Sequence, residues 1–523
     1  MVRSYSLREI IAWDFHVPEE DDKHFIKQQD NQLFRLIRKI TNTSAHINKY
    51  VIFVDSGGCS KTEDHIRTLV FDGIYVQNRH YVFGERSASM TRNGIFSFVR
   101  EDVADKLNEC IEMDIQFDKT VLSKYYAYRG LFFSSCHCFE NWRPKIIVVA
   151  DKETIVPQQN IKYLVDEITS FTDGSGQQRE WKQKGIAQQT CDVEINAFDG
   201  CGICHPDIAQ ELTDLLGAKY PVTSYMVRFP YVKGLIHSID YELFWQERDV
   251  EFIQDVWGKW HSIHDKMIIM TESMYKGLKY FKKYGDSRDW DLYWDKFDKY
   301  GHCIGVAKWN FAFDEEPIYT RSNYQILQDL DLEYDEFRDL ADESVTWSEK
   351  IIDEDPVSTM CFLGLVANRC SPVNAYAKAV VKNPEMLKER SVRKYLMDTL
   401  RKNIDEMKCG KLWLESSFKI LAPDLIMLME HVGGMDCEGC LTENEFWSQN
   451  INGVFDGKHL IERNPHICRS EHATLTAVSN SLTKKYVEHL ANVCMVNAKS
   501  LIAQRLNGAD YDCNWSRYAG MCK

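Results

Sequence analysis

Two aspartates, Asp510 and Asp512, flank Tyr511 directly after Asn507 and Gly508, residue types that stop helices. Carboxylates at i and i+2 on a tight loop can aim at one divalent cation while the aromatic between them anchors the loop. Hard oxygen ligands of this kind suit Mg²⁺, which keeps several waters and binds substrate phosphates through a few carboxylates. Taken alone, D-x-D is more often a solvated turn, because Asp readily hydrogen-bonds its own backbone. Its meaning rests on what surrounds it.

Other clusters carry less. Cys201 with Cys204 and Cys437 with Cys440 have zinc-knuckle spacing. The pairs lie far apart in sequence, so buried thiols are the plainer expectation, with a structural zinc at Cys437 and Cys440 as the minority reading. Ser56-Gly57-Gly58-Cys59-Ser60-Lys61 lacks the spacing of a phosphate loop and reads as a turn. The acidic run Asp329 to Asp342 lacks the glycine of a calcium loop and reads as a solvated helix, with Leu330, Tyr334 and Phe337 along one face.

A chain of 523 residues, 44% hydrophobic and 27% charged, has the composition of a folded protein with several cores. Seventeen cysteines without a signal-like N-terminus fit a reducing, cytoplasmic setting. No run approaches the ~18 apolar residues of a membrane span. The net charge of −15 argues against a protein that coats nucleic acid through bulk positive charge, so any such contact needs a local basic channel.

The elements that must position the acidic loop read as follows. Tyr50 to Asp55, Gly73 to Val76 and Tyr81 to Phe83 are short strands of an N-terminal β-containing domain, residues 1–115. Ile146 to Ala150, Val193 to Phe198, Tyr225 to Phe229 and Leu235 to Ile239 are strands of a β unit over 116–280. Residues 281–445 read as a helical connector, clearest where Asn383 and Pro384 can start a helix and Val392, Leu396, Leu400 and Ile404 recur every fourth residue. A last long helix is expected from about Thr483 to Arg505, with Leu490, Cys494, Asn497 and Leu501 on one face, delivering the chain to the acidic loop in a final unit, 446–523.

Five segments in this order resemble the two-barrel, double-psi β-barrel RNA polymerases, in particular the gene-silencing RNA-dependent enzymes and their phage-encoded relatives. Phe83-Gly84-Glu85-Arg86-Ser87-Ala88-Ser89-Met90-Thr91-Arg92-Asn93-Gly94 resembles G-x-S-x-S-x-x-R-x-G. Tyr125 to Ser135 is similar to A-R-x-G-x-x-F-S-S, with the alanine and arginine one residue apart. Phe198-Asp199-Gly200-Cys201-Gly202-Ile203, then Tyr225 to Phe229 and Lys233-Gly234-Leu235, resemble D-G-x-G-x-I, F-Q-I-R and K-G-V of the first barrel. Arg463-Asn464-Pro465 resembles the entry to the second barrel, with Glu471 where that pattern has aspartate. Leu506 to Asp512 resembles the N-A-D-F-D-G-D loop.

The resemblance implies an α+β protein: an N-terminal β-containing domain, a double-psi barrel, a helical connector and an incomplete second barrel. It implies Asp510 and Asp512 as catalytic ligands of Mg²⁺, with Lys233 and Lys276 (the last residue of Ser273-Met274-Tyr275-Lys276) facing triphosphate or primer backbone. Arg463, with Asn464 and Arg228, would bind substrate, Arg463 beside the incoming ribose. The implied reaction is RNA synthesis from ribonucleoside triphosphates on a template, RNA in the first reading and DNA in the second.

The pattern breaks where Cys513 and Asn514 replace the Gly-Asp that follows, and only Trp515 to Lys523 remain. A barrel short of strands leaves unpaired edges. The expectation is therefore a chain truncated at its catalytic loop and inactive alone, with a separately encoded fragment supplying the rest. A non-catalytic nucleic-acid-binding remnant is the alternative from another class.

Overall fold

The computed structural model describes all residues except 19–23, 44–46, 58–62, 116–120, 279, 282–289, 313–318, 365–373, 450–456, 466–467, 513–514 and 521–523, with only the backbone of 515–520. Cys513 and Asn514, and residues 58–61 of the serine-glycine turn, therefore lie outside the described residues.

The N-terminal unit is a sheet of β1 (Val2–Ser6), β2 (His16–Val17), β3 (Phe25–Ile26), β4 (Val51–Asp55), β5 (Ile74–Val76), β6 (Arg79–Phe83) and β7 (Ile95–Arg100), in the order β2-β5-β6-β7-β4-β1-β3. The strands read from sequence at 50–83 are β4, β5 and β6. Its core runs into that of the next unit, where Gln32 donates to the Cys303 carbonyl at 2.8 Å.

The first barrel unit uses β8 (His137–Phe139), β9 (Lys145–Val149), then a long hairpin of β10 (Glu153–Thr172) and β11 (Gln178–Asn196). After the hairpin come β12 (Cys201–Cys204), β13 (Val222–Phe229), β14 (Val232–Ser238), a small ribbon of β15 (Phe252–Gln254) with β16 (Trp260–Ser262), β17 (Met267–Thr271) and β18 (Ile304–Phe311). The sheet order is β8-β18-β13-β14-β12-β17-β9. β9 reads as a continuous apolar run from Ile146 to Val149 because both of its faces are covered, while β13 and β14 bury Ser224, Arg228 and His237 among their apolar residues.

The second sheet is β19 (Tyr319–Arg321), β20 (Trp413–Pro423), β21 (Glu445–Trp447), β22 (Lys458–Arg463), β23 (Ala473–Ala477), β24 (Val493–Val496) and β25 (Trp515–Gly520), ordered β19-β20-β24-β21-β23-β22-β25. β25 also pairs with β20, so six strands form a ring. One of those strands lies outside the segment in which the sequence places the start of this barrel: β20 comes from within 281–445, while β25 follows the acidic loop inside 446–523. Both sheets repeat one pairing sequence. β14-β12-β17-β9 runs parallel, antiparallel, parallel, and β20-β24-β21-β23 does the same.

The span 281–445 also holds β18 and β19 and a helical cluster: Tyr334–Ile352, Pro356–Phe362, Ala375–Lys382 and Arg390–Lys408. Val392, Leu396 and Leu400 pack in its own small core, as their four-residue spacing requires. Asn383 caps a short 3₁₀ turn at Pro384–Lys388, and Glu389 caps the long helix after it. Tyr334 and Phe337 are exposed on the acidic helix, while Leu330 lies outside it.

The long helix expected over Thr483–Arg505 is not formed. A short helix, Ser481–Tyr486, gives way to β24 and then to Ile502–Arg505. Asn492 sits at φ 57, which breaks any helix, and the apolar run Val493-Cys494-Met495-Val496 is buried between β20 and β21. Barrel pairing overrides a spacing that also suits a helix face.

The two barrels share one core. Phe198, Cys201 and Ile203 of the first pack with Leu421, Val493, Met495 and Tyr511 of the second. Trp245 donates its indole N–H to the Met429 carbonyl at 2.9 Å across the same junction. Among the described residues no helix is long and apolar enough to cross a membrane.

Candidate active site

The acidic loop is held from three sides. Behind it, the helix Ile502–Arg505 ends as Asn507 and Gly508 turn to φ 57 and 60, and the Gly508 and Ala509 amides return to the carbonyls of Gln504 and Ala503. To one side, the Arg463 guanidinium donates to the Leu506 and Asn507 carbonyls at 3.2 and 2.9 Å, and Asn507 Nδ2 donates to the Pro465 carbonyl at 2.7 Å. The Arg463-Asn464-Pro465 turn and the loop therefore clamp each other.

The third side is the first barrel. Tyr511 is buried in the shared core, and its backbone N–H donates to the Asp199 carbonyl at 2.8 Å. Gly200, at φ 82, lies so close beneath Asp512 that a Cβ there would stand 2.6 Å from the Asp512 Cβ. The Gly200 N–H donates to Ser273 Oγ at 2.9 Å, and that hydroxyl bonds Asp151 Oδ1 at 3.1 Å.

Charge converges here. Lys233, on β14, forms an ion pair with Asp512, and buried Arg228, on β13, adds a second positive charge nearby. Burial acts to raise the Asp512 carboxyl, but the Lys233 ammonium and then Arg228 outweigh it and hold the group below its ordinary value. Burial, and after it the Asp512 charge, push Asp510 up to about 6. The two carboxylates thus differ, Asp510 holding its proton more readily than Asp512, which is neutralised by Lys233.

That arrangement fits Mg²⁺. A divalent cation would relieve the repulsion between Asp510 and Asp512, which would hold it. Among the described residues no group of three His, Cys, Asp or Glu side chains is placed to bind a metal. Water and substrate phosphate oxygens would therefore complete the shell.

Of the residues singled out from sequence, Asp510, Asp512, Lys233 and Arg228 come together. Arg463 reaches the backbone of the loop. Asn464 lies beside it, with its Oδ1 buried and without a partner among the described residues. Lys276 stands one step back: its ammonium donates to the Ser273 carbonyl, below Gly200, and its backbone N–H to the Tyr231 carbonyl at 2.8 Å. Sequence reasoning missed Asp199, Gly200, Ser273 and Asp151 as parts of the site. Asp199 and Gly200 lay inside a motif already singled out, but nothing local marks Asp151.

The two cysteine pairs differ: Cys201 and Cys204 are buried, whereas Cys437 and Cys440 are half-buried. Cys201 and Cys204 are fully buried thiols on β12. The 437–440 turn wraps the buried Asp424 carboxylate, which accepts the Cys440 and Leu441 amides at 2.6 and 3.0 Å and the Cys440 thiol at 3.4 Å. Gly439 passes too close to Asp424 for any side chain. This turn has a structural reason that involves no metal.

Comparison with known proteins gives a consistent result. The model of the family described as "RNA dependent RNA polymerase" matches residues 23–513. The chain is 28% identical over 435 residues to the "DNA-directed RNA polymerase YonO" of Bacillus phage SPbeta, covering 80% of this chain and 46% of that protein. Among solved structures it resembles the RNA dependent RNA polymerase QDE-1 from Thielavia terrestris, with TM-score 0.59 and 13% identity over 99% of this chain and 53% of that one. The likeness to QDE-1 supports the double-psi barrel α+β fold. The chain spans about half the length of these relatives.

Proposed function

Because the chain belongs to the RNA dependent RNA polymerase family, we propose that it synthesises RNA from ribonucleoside triphosphates along a nucleic-acid template. The observation that carries this reading is the meeting of Asp512 with Lys233 and Gly200: carboxylates from one barrel and a cation from the other converge on one point. Phosphoryl transfer asks little more of a protein than positioning and charge neutralisation.

Asp510 and Asp512 would hold Mg²⁺, which would supply charge neutralisation at the phosphates and a lowered pKa for the attacking 3′ hydroxyl. Lys233 and Arg228 supply positive charge where the pyrophosphate departs. Lys276, held on Ser273, faces the primer backbone. Arg463 and Asn464 border the ribose side of the site, while Arg463 keeps the loop in place.

An RNA template is the first reading, as the family description implies. A DNA template is the second, favoured by the similarity to a phage protein named a DNA-directed RNA polymerase. The test is RNA synthesis with Mg²⁺ on single-stranded RNA and DNA templates, with and without a primer. It is run with this chain alone and with the product of any adjacent reading frame. Template-dependent product that Asp510→Ala abolishes is the expected result, and the template that works decides between the readings. No product in any combination, with nucleic acid still bound, supports a non-catalytic remnant.

A further inference from the structure

The hairpin β10–β11 is the largest feature that the site leaves unexplained. Its strands pair from Glu153–Asn196 to Thr172–Gln178, with one irregularity between Val156 and Gln159, and reach about 50 Å beyond Val156. Val156 and Ile195, at the root, are its buried large apolar residues. Beyond them both faces are open, yet Trp181 and Phe171 are 61% and 45% exposed on one face, and Leu164 and Ile186 71% and 72% exposed on the other. An isolated two-stranded ribbon is marginal in water, and apolar surface of this extent marks something that covers it.

The register separates the faces. Tyr163 opposes Ala187, Thr169 opposes Trp181 and Phe171 opposes Arg179. Side chains alternate along each strand, so Tyr163, Phe171, Trp181 and Arg179 share one face. The Tyr163 hydroxyl reaches Gln189 on that face, at 3.5 Å. Glu167 is the one carboxylate among them, and Gln183 donates to it at 2.9 Å. Lys162, Lys182 and Lys184 lie on the opposite face, Lys184 paired with Asp166. Residues 161–189 hold as many cations as carboxylates, in a chain of net charge −15.

Both roots of the ribbon end at the candidate active site. β9 passes through Asp151 into β10, and β11 leads within four residues to Asp199 and Gly200, which seat the acidic loop. From this continuity and the aromatic face, whose charges are Arg179 and Glu167, we propose that the ribbon is a stacking platform that leads single-stranded nucleic acid to or from the candidate active site, with bases lying on Phe171 and Trp181 toward its tip and on Tyr163 nearer its root. Every base offers a π-face, so such a platform holds a strand without reading its sequence. The proposal deepens the polymerase reading and rests on it for the identity of the ligand.

The experiment measures binding of a fluorescein-labelled 20-nucleotide oligouridylate to the full chain by anisotropy, with no synthesis required. Phe171→Ala with Trp181→Ala weakens binding about tenfold or more, given typical stacking contributions per base. Phe171→Leu with Trp181→Leu preserves apolar area without a π-face, and weakens binding similarly. A 4-thiouridine-labelled strand crosslinks within residues 161–189. Unchanged affinity in the alanine variant, or full affinity in the leucine variant, overturns the proposal. So does loss of self-association on alanine substitution, measured by sedimentation, with oligonucleotide binding intact, since the ribbon then docks a second copy. If synthesis is absent while ribbon-dependent binding persists, the polymerase reading fails and the platform stands. Synthesis with ribbon-independent binding gives the reverse.

Discussion

Gly200→Ala tests whether the first barrel places the catalytic loop of the second. The added methyl meets the Asp512 Cβ at 2.6 Å and the Asp512 amide nitrogen at 3.1 Å, against an optimum of roughly 3.5–4.0 Å between carbons, so something must yield by about 1 Å. Gly200 is fixed below by Ser273 and the loop is anchored by buried Tyr511, which leaves the Asp512 carboxylate as the group that moves. A displacement of about 1 Å in a reacting group costs roughly 10²-fold in rate. The substitution also carries backbone strain, because φ 82 is left-handed; that term is about 1–2 kcal/mol. Gly217→Ala isolates the strain, since Gly217 sits at φ 59 with nothing within 4 Å of its would-be Cβ. Both variants are expected to lose comparable thermal stability, while Gly200→Ala alone loses Mn²⁺ affinity, followed by electron paramagnetic resonance, by about tenfold and RNA synthesis by about 10²-fold. If Gly200→Ala matches Gly217→Ala in both metal affinity and synthesis, the contact does not place Asp512 and the reasoning is refuted.

Two further outcomes follow from the same geometry and its surroundings. Arg463→Met removes a cation from the Leu506 and Asn507 carbonyls, so the maximal rate of nucleotide incorporation falls by about tenfold or more, while the KM for the nucleotide changes little; a raised KM at an unchanged maximal rate favours direct ribose contact instead. Stability is expected to fall between pH 7 and pH 5, because burial pushes His237 and His302 down to about 3. The unfolded chain then takes up protons that the folded chain refuses from about pH 6.5 downward, at about 2 kcal/mol per histidine by pH 5. Urea unfolding midpoints at the two pH values check this, and a midpoint that holds or rises on acidification contradicts it.

What the sequence made legible was whatever is decided locally. The acidic loop announces itself because two carboxylates, a helix stop and an anchoring aromatic lie within six residues, and β9 because a strand covered on both faces needs an unbroken apolar run. The helix read into Thr483–Arg505 failed for the opposite reason. Leu490, Cys494 and Leu501 satisfy a helical spacing, but the neighbours that make Val493–Val496 a strand lie on β20 and β21, more than forty residues upstream. The seat of the catalytic loop was hidden in the same way. The Tyr511 amide finds its acceptor at Asp199, the Gly200 amide finds Ser273, and Ser273 finds Asp151, so each partner lies some seventy residues or more away in the chain. Even the Lys-Gly pair at Lys233 and Gly234, legible as a motif, acquires a role only when β14 brings the ammonium to Asp512 across the barrel junction. A motif can thus nominate candidate metal ligands, while the distance between them is set by a packing contact, Gly200 against Asp512, that belongs to neither motif alone. A loop with intact aspartates on a displaced first barrel would keep its sequence signature and lose its geometry.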